Sequence, residues 1–330
     1  MRFRTLIWAA GVAATASLAT PMAKAETELT LVYPFLDFLI YSKLCKELVD
    51  KINNAGAGIS IKVLPFNSIG MFKQPAAITR GRVDIVCTPA AFYARGLPEN
   101  EAVSTSNTSP AKARANGGFK ILDDLHQKHL NMKYLGWTAS GGLFRIYTKD
   151  APKFNAQGLP DFTGIKMRDN PIYGAFFRAL KATTHPMKSS QVYSALEKGV
   201  VNASAWATIG LKGLKWDKFL RHGIEPEFYQ TDIGWTMNLD KWKSLSAKER
   251  KIIQSTVIQH EGVARAKLQD LAKKERATLK AEGMKFHSAP NGKAYLDLAI
   301  NSAYDRMMDR LKKAGHPTAH VAKLRAAYQE

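Results

Sequence analysis

GRVDIVCTP, residues 81–89, opens on a glycine, runs through Val83, Ile85, Val86 and Cys87, and closes on Pro89. An apolar run of that length between a glycine and a proline reads as a buried strand. Upstream, ELTLVYPF (residues 28–35) alternates well enough to be a strand over residues 27–33, ended by Pro34. GISIKVLPF (58–66) is a second strand, bounded by Gly58 and Pro65. Between these strands Leu39, Ile40, Leu44, Leu48 and Ile52 recur at helical spacing over 38–52, and a short helix is expected over 74–80. Strand, helix, strand, helix, strand is an α/β unit with a mainly parallel sheet, and ligands on such sheets sit outside the carboxyl ends of the strands. The loops 34–37 and 88–92, which carry Phe35, Asp37 and Phe92, are therefore site candidates.

A second unit follows. MKYLGWT (132–138), FRIYTK (144–149) and FTGIKMR (162–168) read as strands, 172–182 as a helix and THPMK (184–188) as strand-like; 191–198 is a helix closed by Gly199, and VVNASAW (200–206) is the next strand. EFYQTDIGWTMNL (227–239) is a strand-rich crossover, and 246–282 is one long helical tract closed by Gly283. A helix so long either braces two lobes or offers a seam to a partner helix. A last amphipathic helix covers 296–313. The division expected is residues 26–142 with about 238–275 in one lobe, and about 143–237 with 276–330 in the other, joined by several chain crossings.

Residues 1–25, MRFRTLIWAAGVAATASLATPMAKA, place Arg2 and Arg4 before an apolar run and then Ala23-Lys24-Ala25, the order of a secretory leader cleaved after Ala25. The mature chain is expected to be soluble and exported, with a formal charge lowered from +20 to +17 by loss of three cations and no acids. The cations are spread and mixed with acids, with no basic run on an aromatic platform, so the charge points to steering of small anions rather than to nucleic acid. Cys45 and Cys87 are the only cysteines; export permits a disulfide, but each lies in an apolar context where buried free thiols are common, and free thiols are expected.

No G-x-S-x-G, P-loop or H-E-x-x-H occurs, so catalysis has no visible motif. His126/His129 and His316/His320 have near-helical ligand spacing but no neighbouring carboxylate or thiolate, and read as exposed loop histidines rather than metal ligands. No cofactor is indicated. Two strand-end arginines stand out: Arg145 in SGGLFRIYT and Arg168 in GIKMRDNP. A guanidinium presents paired donors that match a carboxylate. Arg168 is a solvated charge, a structural ion-pair member with a residue such as Asp169, or a clamp for a ligand carboxylate; Arg145, Asn170 and Trp206 in similar positions favour the clamp.

The order of elements, together with GRVDIVCTP, TGIKMR, HPMKSSQVYSALEKGVVNAS (185–204) and LDKWKSLSAKERKII (239–253), resembles the solute-binding proteins of tripartite ATP-independent periplasmic (TRAP) transporters across the whole mature chain. The resemblance implies a periplasmic-binding-protein-like α/β fold of two lobes closing on a small organic acid, which is then handed to a membrane permease. It implies that Arg168 pairs with the ligand carboxylate and that Trp206 forms an aromatic wall beside it. There are departures: Asn202 stands where an aspartate is frequent, SNTSPAKARANGG (106–118) replaces an expected Leu-Pro-Phe, and Ala205 stands where a metal-holding glutamate occurs in one branch, so no metal is expected. The ligand set expected is Arg168, Arg145, Asn170, Trp206, Phe35, Asp37, Phe92 and Trp235, for an anion that is a monocarboxylate with an apolar or aromatic body. The rivals are an exported bilobed enzyme acting on an organic acid and a receptor signalling to a membrane sensor.

Overall fold

The computed structural model describes residues 26–329, so the expected leader lies outside the described residues. Strands β1 (Thr27–Val32), β2 (Ile59–Val63), β3 (Ile85–Pro89) and β4 (Met132–Ala139) start the first sheet. The chain then crosses through Ser140, Gly141 and Gly142 to β5 (Leu143–Thr148) and a hairpin of β6 (Lys153–Phe154) and β7 (Pro160–Asp161). β8 (Lys166–Asp169), β9 (Thr183–Pro186), β10 (Ala203–Ala207), β11 (His222–Glu225) and β12 (Phe228–Gln230) complete the second unit, before β13 (Ile233–Asn238) returns to the first sheet and β14 (Lys285–Ser288) joins the second. The orders are β2-β1-β3-β13-β4 and β14-β11-β5-β10-β8-β9, with β12 also paired to β5. Both sheets are mixed: β1 runs parallel to β2 and β3, whereas β13 is antiparallel to β3 and β4, and β5 is antiparallel to β10, β11 and β12.

The continuous apolar character of β3 has a physical source. Ile85 and Cys87 enter one buried cluster with Leu29, Leu31 and Tyr33, while Val83 and Val86 enter another with Val32, so the sheet is covered on both faces. The helix Ile40–Asn53 lays Leu44, Leu48 and Ile52 on the first of these clusters.

The long helix spans Ala247–Ala281. It starts at a reciprocal cap, in which Glu249 N donates to Ser246 Oγ (3.2 Å) and Ser246 N donates to Glu249 Oε2 (2.6 Å). Its first half lies on β4, where a Cβ on Gly136 would overlap Val257 and come within 2.8 Å of Glu261 Oε1. Glu261 accepts from Arg114 (2.9 and 2.7 Å) and from Trp137 N (2.8 Å). Its second half serves the other unit: Glu275 accepts from Gly210 N (2.7 Å) and Lys212 N (3.1 Å), and Arg276 pairs with Glu225 at 2.8 Å. Of the two readings open for this helix, the brace is the one these contacts describe.

Several expectations need correction. Cys45 and Cys87 form a disulfide, with their Cα atoms 6.3 Å apart, rather than remaining free thiols; Cys45 of the helix Ile40–Asn53 and Cys87 of β3 are buried in one apolar cluster that brings them together. The strand β13 pairs in the first sheet, so residues 233–237 lie with residues 26–142 and not with the second unit. The last long helix is Gly292–Lys313, and a further helix, Val321–Tyr328, follows it. Tyr304, Met307, Leu311, Leu324 and Tyr328 share a cluster with Phe119, Leu122 and Trp137, so this end of the chain packs on the first unit. His126 is not an exposed loop residue: it is buried in the helix Gly118–Leu130, 2.9 Å from Tyr93 Oη, and burial lowers its pKa to about 4.

The disulfide closes a loop of 42 residues. Replacing both cysteines by alanine should cost about 4 kcal/mol of folding stability through loop-closure entropy. Denaturant unfolding of the double variant beside the oxidised protein reads this directly; an unchanged midpoint would mean that the bond contributes nothing.

Candidate functional site

β8 ends at Asp169, and the residues that follow it turn into the interface between the two units. Arg168 lies in β8, paired in register with Ser204 of β10 and His185 of β9. Its side chain is 2% exposed, and its guanidinium meets only neutral acceptors: Nε and Nη2 donate to Met187 O (3.2 and 3.0 Å), and Nη1 donates to Tyr173 Oη (2.5 Å). No carboxylate lies within ion-pair distance of it among the described residues. Of the five N–H donors of a guanidinium, these bonds use three. A buried cation without a carboxylate carries a desolvation cost that hydrogen bonds to neutral oxygens offset only in part.

Tyr173 organises this corner. Its hydroxyl accepts from Arg168 and from Asn170 Nδ2 (3.1 Å) and donates to Ala205 O (2.8 Å), while Asn170 Oδ1 caps Ile172 N (2.9 Å). Burial pushes the Tyr173 phenol up to about 12, so it stays a neutral acceptor for the guanidinium.

Arg168 and Asn170 line a small cavity, in which about 30 Å³ admits the centre of a water molecule. Phe35, after β1, and Pro89 and Phe92, at and after the end of β3, line it from the first unit. Trp206 from β10 and Phe144 from β5 line it from the second. The rings join across the cleft, with Phe35 6.0 Å from Phe92 and 6.3 Å from Trp206, edge to face. The loops after the carboxyl ends of β1 and β3 are thus where the site was expected.

Five of the expected residues, Arg168, Asn170, Trp206, Phe35 and Phe92, meet in this one cavity. Three do not. Arg145 runs over Gly223, where a Cβ would come within 2.9 Å of its Cδ, to pair with Glu225 (3.1 Å) and Glu227 and to lie 4.7 Å from the Phe286 ring. Asp37 is exposed and holds Tyr33 Oη and, at 3.7 Å, Lys46. Trp235 is fully buried in β13 opposite Cys87, as part of the core.

The cavity also contains residues that sequence reasoning missed. Asp232 and Thr231 stand just before β13, in the crossover TDIGW. An acid inside so apolar a run was the available signal. Asp232 is 1% exposed; its Oδ2 accepts from Ala91 N (2.9 Å) and Ser104 Oγ (2.8 Å), while its Oδ1 has no partner. Burial raises its pKa from 3.8 to about 6. Trp206 Nε1 and Thr231 Oγ1 are also buried without partners. Beyond Phe92 and Asn170 the cavity gives onto a groove lined by Arg95, Arg178, Lys188, Arg306 and Arg310, with Asp169 as its one acid.

The model for the bacterial extracellular solute-binding proteins of family 7 matches residues 38–311. A curated solute-binding protein of Verminephrobacter eiseniae is 26% identical over 154 residues, 46% of this chain, and the match spans about half (45%) of that relative's length. Among solved structures, DctP7 of Bordetella pertussis, a receptor binding pyroglutamic acid, superposes with a TM-score of 0.76 at 16% identity, covering 92% of this chain and 99% of that one. A TRAP periplasmic solute-binding protein of Desulfovibrio salexigens with bound orotic acid superposes with a TM-score of 0.78 at 17% identity, covering 91% of this chain and 98% of that one.

A carboxyl group whose pKa is higher in the folded state than in the unfolded one stabilises the fold at low pH. For Asp232 that contribution is complete below about pH 4 and is lost as pH rises through about 6. Asp232→Asn lacks it. The stability difference, wild type minus variant, should therefore fall by roughly 2–3 kcal/mol between pH 4 and pH 7.5, measured by urea unfolding at both pH values; a constant difference would refute the shift.

Proposed function

The chain belongs to the bacterial extracellular solute-binding proteins of family 7, and from that premise we propose that it is the periplasmic receptor of a TRAP-type secondary transporter. It captures a small organic anion between its two units and delivers it to a membrane permease. The observation that carries the ligand class is Arg168, a buried cation held by neutral oxygens and left without a carboxylate. An incoming carboxylate supplies the missing countercharge, and the low-dielectric surroundings strengthen each hydrogen bond it accepts.

Around that pair, Phe35, Phe92 and Trp206 form an apolar clamp from both units. A ligand that touches Arg168 on one side and Phe35 on the other binds the closed arrangement better than an open one, and favours closure by that differential affinity. The narrow cavity favours a compact monocarboxylate with an apolar or cyclic body. Structures of the same fold hold pyroglutamic acid, orotic acid, L-galactonate and sn-glycerol-3-phosphate, so cyclic acids are tried beside acyclic ones. No metal takes part in this reading, because the acid is held by a guanidinium. The mature chain would be exported by the leader at residues 1–25.

The test is a thermal-shift screen of residues 26–330 against mono- and dicarboxylates, cyclic acids and sugar acids, after removal of co-purified ligand; a bound ligand raises the melting temperature with the logarithm of its concentration. Arg168→Ala should fold and lose roughly 2–5 kcal/mol of ligand affinity, since the carboxylate would be buried unpaired. Calorimetric titration giving equal affinity for the variant would remove Arg168 from the site. Conversion of the bound acid into another compound would favour the enzyme reading instead.

A further inference from the structure

The cavity has a second polar end that a simple carboxylate leaves unused. Asp232 reaches it from the crossover into β13 with one oxygen committed to Ala91 N and Ser104 Oγ and the other, Oδ1, buried and unpaired. No cation lies within ion-pair distance of Asp232 among the described residues. Buried acceptors without donors are rare because each costs the desolvation of that group. Such an atom on a cavity wall marks where a donor is to arrive.

The neighbouring groups sharpen the chemistry. Thr231 Oγ1, on the residue before Asp232, is buried without a partner and can donate or accept. Arg168 supplies donors for a carboxylate, whereas Asp232 Oδ1, once ionised, is met only by a group bearing hydrogen. A second carboxylate placed there would meet an acid at short range. An all-carbon body would leave Oδ1 buried and unsatisfied, and a ring oxygen would set acceptor against acceptor.

We propose that Asp232 is a specificity-determining residue that selects, among small acids, those carrying an N–H donor: an amino, imino or lactam acid whose carboxylate meets Arg168 and whose N–H meets Asp232 Oδ1. This rests on the receptor reading above and narrows its ligand class. Specificity of this kind is large, because the disfavoured ligand leaves a buried group unpaired rather than merely losing a contact.

The experiment is calorimetric titration of residues 26–330, wild type and Asp232→Asn, with four ring acids of similar size: proline, 2-pyrrolidone-5-carboxylate, cyclopentanecarboxylate and tetrahydrofuran-2-carboxylate. Wild type should bind at least one of the two N–H acids tenfold or more tightly than both acids without N–H. Asp232→Asn keeps an oxygen for Ala91 and Ser104; it should lose that preference, with the affinity ratio of the N–H acids to cyclopentanecarboxylate falling toward one. Beyond a blank titration, three results would overturn the inference: no N–H preference in wild type, a preference that survives in the variant, or an equal loss of all four acids in the variant, which would make Asp232 structural. The receptor reading stands through each of these as long as cyclopentanecarboxylate binding depends on Arg168. If wild type binds none of the four acids, the inference fails, and a blank result in the wider acid screen as well would take the receptor reading with it.

Discussion

The position of the helix Ala247–Ala281 on β4 is the constraint to which the rest of the molecule is fitted. It depends on Gly136, because a side chain there would occupy the space of Val257 and Glu261. Contact so close buries Glu261, and a buried carboxylate needs partners. Arg114 supplies a two-pronged pair and Trp137 a backbone donor. Arg114 comes from the helix Pro110–Ala115, within the 106–118 segment that departs from the family pattern. That segment is thus a working part of the anchor. With its first half fixed, the same helix carries Glu275 and Arg276 to the other unit and sets where the second sheet lies.

The cleft between the units gathers charge in an asymmetric way. On one wall a guanidinium is held by oxygens that cannot neutralise it; on another stands a carboxyl group with no cation. Both are desolvated, and neither compensates the other in the way a structural ion pair would. Tyr173 makes the first tolerable, since a phenol that stays neutral accepts from Arg168 and still donates to Ala205 O. A folded protein keeps such groups apart and unpaired only against a cost in stability, which is the mark of a site shaped for another molecule.

The readable parts of this fold are those fixed by neighbours in sequence. Gly58 and Pro65 around β2, and Gly81 and Pro89 around β3, punctuate strands locally, and Ser246 with Glu249 and Gly283 mark the ends of the long helix within one residue or two. The position of Arg168 beside Asn170 on one cavity wall was legible because its strand, the turn after it and Asn170 are contiguous. Arg145 was misread because its partners, Glu225 and Glu227, lie 80 and 82 residues away. Trp235 was misplaced for a similar reason: β13 inserts between β3 and β4, and nothing local announces a strand that goes back. Asp232 is invisible without that same insertion. The helix Val321–Tyr328 is too short for periodicity to reveal, and its place is set by Tyr328 packing 6.4 Å from Trp137.

The bond between Cys45 and Cys87 ties the helix Ile40–Asn53 to β3, and these two elements flank the loops that carry Phe35 and Phe92. A thiol pair can close only where an oxidant is at hand. The same chain is therefore a looser polymer in a reducing cytosol than in an oxidising compartment. The crosslink thus couples the order of the two loops that line the cavity to the redox state of the chain's surroundings.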